Sequence, residues 1–269
     1  MPASSNPADR RIALLIDADN ISHTKIAGIL AELSKHGTPN IRRAYGDWTS
    51  KQLSGWQSKL HEFAIRPIQQ FSYSTGKNAT DISLVIDAME LLYNQKPSGF
   101  AIASSDADFT PLVMHLKAAG HEVYGFGERK TPEPFVNACT TFLYLDTLGA
   151  GELVDESTSI SPVKKPLPKS KVAAKPADKP TRSLAMDTKL VSILRGAVEA
   201  AARDDGWANM STAGSTAKRQ APIDPRNYGA KTFTELFTAT GLFEVTKTPD
   251  GKVFVADKRN KDRSPVPAT

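Results

Sequence analysis

The chain has 269 residues, enough for two modest domains or one large one, and its 40% hydrophobic and 23% charged content is that of an ordinary globular protein. Its net charge is +5, with a sequence pI of about 9.2. One cysteine, Cys139, excludes an internal disulfide framework and a cysteine zinc cage, and no apolar run approaches the roughly 20 residues of a membrane helix.

The opening MPASSNPADRR lacks the apolar core of a secretory signal, so a cytoplasmic protein without membrane contact is expected. IALLID at 12–17 is a continuous apolar run, as a strand buried on both faces requires. The stretch 21–37 has apolar residues at 26, 29, 30 and 33 and stops at Gly37, which reads as a helix. A strand at NIRRAYGD, a helix at LSGWQSKLHEF and a strand at AIRPIQQFS follow. In ATDISLVIDAMELLY, residues Ile82, Val85, Ile86 and Met89 repeat at helical spacing, with Thr80 as the expected N-cap. GFAIASS reads as a strand, FTPLVMHLKAAG as a helix ending at Gly120, HEVYGFG as a strand, PEPFVNACT as a short helix and TFLYLD as the last strand. The alternation predicts an α/β fold, a mostly parallel sheet flanked by helices. Cys139 fits there as a small buried hydrophobe.

Composition then changes. Residues 151–185 form a basic, Pro- and Lys-rich linker without an aromatic residue, expected to be disordered. Charge divides along the same line: residues 1–154 carry 14 Lys+Arg against 16 Asp+Glu, 155–185 carry 7 against 3, and 186–269 carry 13 against 10. An acidic front and a basic rear suit a catalytic module joined to a polyanion-binding one; a basic linker that only keeps the chain soluble explains the charge as well. Behind the linker, Leu190, Ile193, Leu194 and Val198 share one helix face. A second helical stretch follows, then a helix carrying Phe233, Leu236 and Phe237, then two strands about Pro249-Asp250-Gly251. The order predicts a small winged helix over 186–258, with a disordered tail at 259–269.

Three apolar runs end in aspartate. In open α/β sheets, ligands bind beyond the carboxyl ends of strands, where strand order reverses. Asp17 ends the first strand, Asp106 and Asp108 follow the strand at GFAIASS, and Asp81 opens a helix at the same rim. Clustered carboxylates repel, and a hard divalent cation such as Mg²⁺ or Mn²⁺ relieves the repulsion and can activate water against a phosphate. The three segments contain no histidine, which argues against zinc. Each acid also has a plainer use as a turn or helix cap, Asp19 more than the others. Ser104 and Ser105 could meet phosphate or hold the acids, Asp87 could support Asp81, and Lys77 could touch a phosphate backbone. His23 and His115 fit surface or packing positions better than ligands.

LLIDADNIS, KNATDISLVIDAMELLY and FAIASSDADFTPLVMHLKAAGHEVYGFG together resemble the NYN domain, the LabA-like branch of the PIN-type ribonuclease superfamily, over about residues 10–150. The resemblance implies a metal-dependent ribonuclease on a PIN-like sheet. Asp17, Asp81 and Asp106 then match its metal-binding acids, Asp108 the second acid of the last motif, and Asn20 the polar residue after the first acid. Two other readings stay open: an RNA-binding adaptor with a vestigial site, and a haloacid-dehalogenase-like phosphatase built on Asp17 and Asp19, for which Lys96 is poorly placed. DPRNYGAKTFTELFTATGLFEV resembles the OST-HTH or LOTUS domain, with Ala230 where a bulkier apolar residue is expected. That resemblance implies RNA binding or a protein partner, and leaves homo-oligomer formation open. Lys218, Arg219, Arg226 and Lys231, with Lys252, Lys258 and Arg259, could meet phosphate; Tyr228 could stack on a base.

Overall fold

The computed structural model describes residues 9–71, 79–148 and 184–267. The linker stretch 151–183 and Lys77 therefore lie outside the described residues. The front half is a six-stranded sheet: β1 (Arg11–Asp17), β2 (Thr38–Gly46), β3 (Arg66–Gln69), β4 (Gly99–Ala103), β5 (Glu122–Gly127) and β6 (Thr141–Tyr144). Its order is β3-β2-β1-β4-β5-β6 and every pairing is parallel. β1 is central, and its five apolar residues from Ile12 to Ile16 are completely buried. Ile12, Leu14 and Ile16 pack toward α1 (Ile26–Leu33) and α2 (Trp56–Glu62). Ala13 and Leu15 pack toward α3 (Ala79–Asn94), α4 (Thr110–Ala118) and α5 (Glu133–Ala138). Cys139 is buried in that second layer, its thiol bonded to the Phe135 carbonyl.

The face of α3 differs from the expected one. Ile82 and Ile86 are 60% and 62% exposed, whereas Leu84, Ala88, Leu91 and Leu92 are buried. The helix is apolar over most of its circumference, so spacing alone permits two stripes, and contact with β1 and β2 selects the second. Thr80 lies inside the helix rather than at its cap, and its hydroxyl donates to Asp19.

The rear half places α6 (Thr188–Ala201), α7 (Met210–Gln220) and α8 (Phe233–Thr240) against an antiparallel sheet of order β7-β9-β8. Its strands are β7 (Ala208–Asn209), β8 (Phe243–Lys247) and β9 (Val253–Asp257), the layout of a winged helix. Asp187, Asn209 and Thr232 cap the three helices with their side chains. Ala230 is buried in the core, where its small side chain fits. The tail after 258 differs from expectation: Trp207 Nε1 donates to the Ser264 carbonyl at 2.8 Å, and Arg263 pairs with Glu244. A completely buried indole needs an acceptor, and the tail supplies it.

A 3-10 turn at Pro225–Tyr228 joins the two halves. Arg226 reaches Glu32 of α1 with two parallel bonds of 2.6 and 2.7 Å, and also binds Asp224. Glu32 is 4% exposed, and the guanidinium holds its carboxyl well below the usual range despite burial. Beside it, the Asn227 side chain donates to the Phe142 carbonyl at 2.8 Å and accepts from the Tyr144 amide at 3.2 Å, as a neighbouring strand would. Arg129 donates to the Asn227 carbonyl, and Lys189 pairs with Glu133.

Candidate acidic site at the sheet switch point

β1 and β4 are neighbours, with Ile16 opposite Ala103. The next residues, Asp17 and Ser104, therefore stand side by side where the chain leaves the two strands. From β1 it runs to α1 on one face, and from β4 to α4 on the other, which opens a cleft between the departing loops.

Asp17 is 1% exposed. Its Oδ2 accepts from Asn20 Nδ2 at 2.6 Å and from Ser104 Oγ at 2.8 Å. Its Oδ1 is buried and has no hydrogen-bond partner. Burial raises its carboxyl, against the two donors, which lower it. Asp81 sits in the first turn of α3, where a helix dipole favours the charged form. It is nevertheless pushed up to about 6, first by burial and then by the charges of Asp17, Asp106, Asp108 and Asp19. Repulsion and desolvation therefore outweigh the dipole. The structure brings the expected acids within electrostatic reach of one another.

Asp106 caps the 3-10 turn Ala107–Phe109, its Oδ1 accepting from the Asp108 amide at 2.8 Å. Its own amide donates to Ser104 Oγ at 3.1 Å. Asp108 is exposed at the mouth of the cleft. Asp87 is turned away from this role, bonded to Arg43 and Tyr45.

Several expected contacts take a different form. The Asn20 side chain donates to Asp17 and so supports the first acid. The Ser104 hydroxyl is completely buried between Asp17 and Asp106, so of its two expected uses it takes that of holding the acids, and Ser105 Oγ accepts from the Glu128 amide. Arg226 is consumed by Glu32 and Asp224 and is not a phosphate contact. Lys218, Arg219 and Lys231 are exposed. Lys218 lies 5.8 Å over the Phe233 ring, and Arg219 donates to Thr216. Glu32 and Asn227, which join the halves, carried no motif; only a buried-face glutamate in α1 hinted at a partner.

Among the described residues, no three His, Cys, Asp or Glu side chains close into a metal cage. The donors present still suit a hard divalent cation, which is commonly held by one or two carboxylates and keeps its waters. Asp17 offers an unpartnered buried oxygen, and Asp81 carries repulsion that a cation would relieve.

A parallel α/β domain with carboxylates at its switch point, docked to a winged helix, defines a two-module protein with an acidic cleft. The chain belongs to the NYN domain family, which residues 11–146 match, and residues 182–255 match the OST-HTH/LOTUS domain. The NYN domain places it in the PIN-like nuclease superfamily, and the OST-HTH domain implies RNA binding. It is 31% identical over 130 residues to an uncharacterized protein of Methanocaldococcus jannaschii, a match covering 46% of this chain and 50% of that one. The chain thus spans about half the length of that curated relative. A crystal structure of a protein of unknown function from Vibrio parahaemolyticus aligns with 52% of this chain and 94% of its own, at 16% identity and a TM-score of 0.42. A solution structure of an uncharacterized protein from Nitrosomonas europaea aligns with 34% of this chain and 92% of its own, at 22% identity and a TM-score of 0.26. Among the described residues, no helix is long and apolar enough to cross a membrane.

Proposed function

We propose that the chain is an endonucleolytic ribonuclease, dependent on Mg²⁺ or Mn²⁺, that hydrolyses RNA phosphodiester bonds at the β1–β4 switch point. The observation that carries this reading is the buried, unpartnered Asp17 Oδ1 in a rim of mutually repelling aspartates. Asp17, Asp81 and Asp106 would hold the cation, which when bound supplies charge neutralisation and activation of water. Asn20 and Ser104 fix the Asp17 carboxylate in one orientation, leaving the same oxygen free at every turnover. Asp106 is fixed by its own cap bond, and Asp108 stands outermost, where it can position the incoming strand. In the rear module, Lys218, Arg219 and Lys231 offer sequence-independent phosphate contacts. Residues 151–185 form the connecting segment, and we place the protein in the cytoplasm. The NYN match over 11–146 leaves the phosphatase reading without support.

The test is cleavage of a labelled single-stranded RNA with Mn²⁺ or Mg²⁺, comparing the parent with Asp17→Asn and with an EDTA control. Cleavage that requires both the cation and Asp17 is expected. RNA binding without cleavage, across several RNAs, would replace the nuclease with an RNA-binding adaptor.

A further inference from the structure

Beside the acids lies a second cavity, of about 230 Å³. One wall is the loop from Asp19 to His23; the other carries Gln52 and Trp56. It shares a wall with the acidic site, because Asn20 lines it and holds Asp17, while Asp19 lines it and bonds Thr80 at the head of α3. Ligand pockets usually run from roughly 300 to 1,000 Å³, so this one suits a single ring system.

Its polar groups are set for a ligand. The His23 ring is held in place by its surroundings: a Cβ on Gly55 would come within 2.4 Å of it, and it meets Trp56 edge to face at 6.4 Å. Neither its imidazole nor the Gln52 carboxamide makes a side-chain hydrogen bond among the described residues. A carboxamide presents a donor and an acceptor side by side, the pattern that pairs with a nucleobase edge. Trp56 is 2% exposed, so it offers no open face for stacking. A base in this cavity would be read by hydrogen bonds, as bases of single-stranded RNA are when splayed out of the strand.

We infer that this cavity receives one unstacked nucleobase of the RNA, adjacent to the phosphate at the acids, and that Gln52 is a specificity-determining residue with His23 as its neighbour. This rests on the nuclease reading for its substrate class. Gln52 is exposed and its side chain makes no hydrogen bond among the described residues, so Gln52→Ala is expected to fold as the parent does.

The test uses the full chain carrying Asp17→Asn to stop cleavage. Anisotropy is measured with labelled oligoadenylate, oligocytidylate and oligouridylate. One of the three is expected to bind about fivefold more tightly than another, the size of one net hydrogen bond, and Gln52→Ala is expected to bring them within about twofold. An unchanged ranking in Gln52→Ala, or no discrimination before the substitution, overturns the base site. Mapping cut positions on the cleaving chain separates the two ideas. If neither the parent nor Gln52→Ala cuts RNA, the nuclease reading fails, while the anisotropy still decides the base site. If both cut with the same flanking-base profile, the base site fails and the nuclease stands.

Discussion

At the residue scale, two aspartates of one rim are held in opposite ways. Asp81 is strained by its neighbours, and its raised carboxyl fixes the sign of a pH effect. The folded state holds that proton more tightly than the unfolded chain. The penalty is therefore absent below the unfolded value near 3.9, grows as pH rises toward about 6, and is complete above it. Asp81→Asn should stabilise the cation-free protein at pH 7.5 by about 1 kcal/mol, a value reduced for partial solvent screening, and do nothing near pH 3.5. Urea titrations at the two pH values check this. Protons and cation compete for the same carboxylate, so Mn²⁺ affinity should rise roughly tenfold between pH 5 and 7, read by calorimetry. An affinity flat across that range would remove Asp81 from the ligand set. Ser104 acts through Asp17, so Ser104→Ala should lower kcat/KM about 10- to 100-fold while the chain stays folded.

At the element scale, Asp106 is both a site acid and the cap of a 3-10 turn. Asp106→Ala should therefore cost about 1 kcal/mol of stability, against the gain from Asp81→Asn, and thermal melts of the pair would separate the two roles. Most elements were legible because their signals are local. The unbroken apolar run of β1, the glycine after α4 and the turn around Gly251 need no partner to be recognised. The nearness of Asp17 and Asp106 was legible because neighbouring strand ends converge in any parallel sheet, and Asp81 joins them from the first turn of α3. Other features were not, because they depend on distant contact. The buried face of α3 is chosen by the sheet beneath it. The two-residue β7 exists only because β9 lies alongside, pairing Ala208 with Val255. Sequence left Ser104 two uses, phosphate or acid, and the β1–β4 register chooses by setting it against Asp17.

At the scale of the molecule, the winged helix is docked on the sheet edge by Arg226 and Asn227. Without Arg226, buried Glu32 keeps Lys35 at 2.8 Å but loses its paired guanidinium bonds, and Asp224 loses that guanidinium too, so Arg226→Ala should cost about 2 kcal/mol. With a protease site inserted near residue 170, the two cleaved halves of the parent should co-elute on size exclusion, and those of Arg226→Ala should separate. Separation of the parent halves would show the docking to be weak.

The side chain of Asn227 has a consequence for biosynthesis. β6 is the last strand of the sheet, and without Asn227 its outer carbonyl and amide stand open, the kind of edge that invites another chain to pair with it. A ribosome makes the front half first, so that edge waits uncovered until the rear module is translated and folds. The front half expressed alone never acquires the cover, and self-association in that truncated form would record what the missing amide normally prevents.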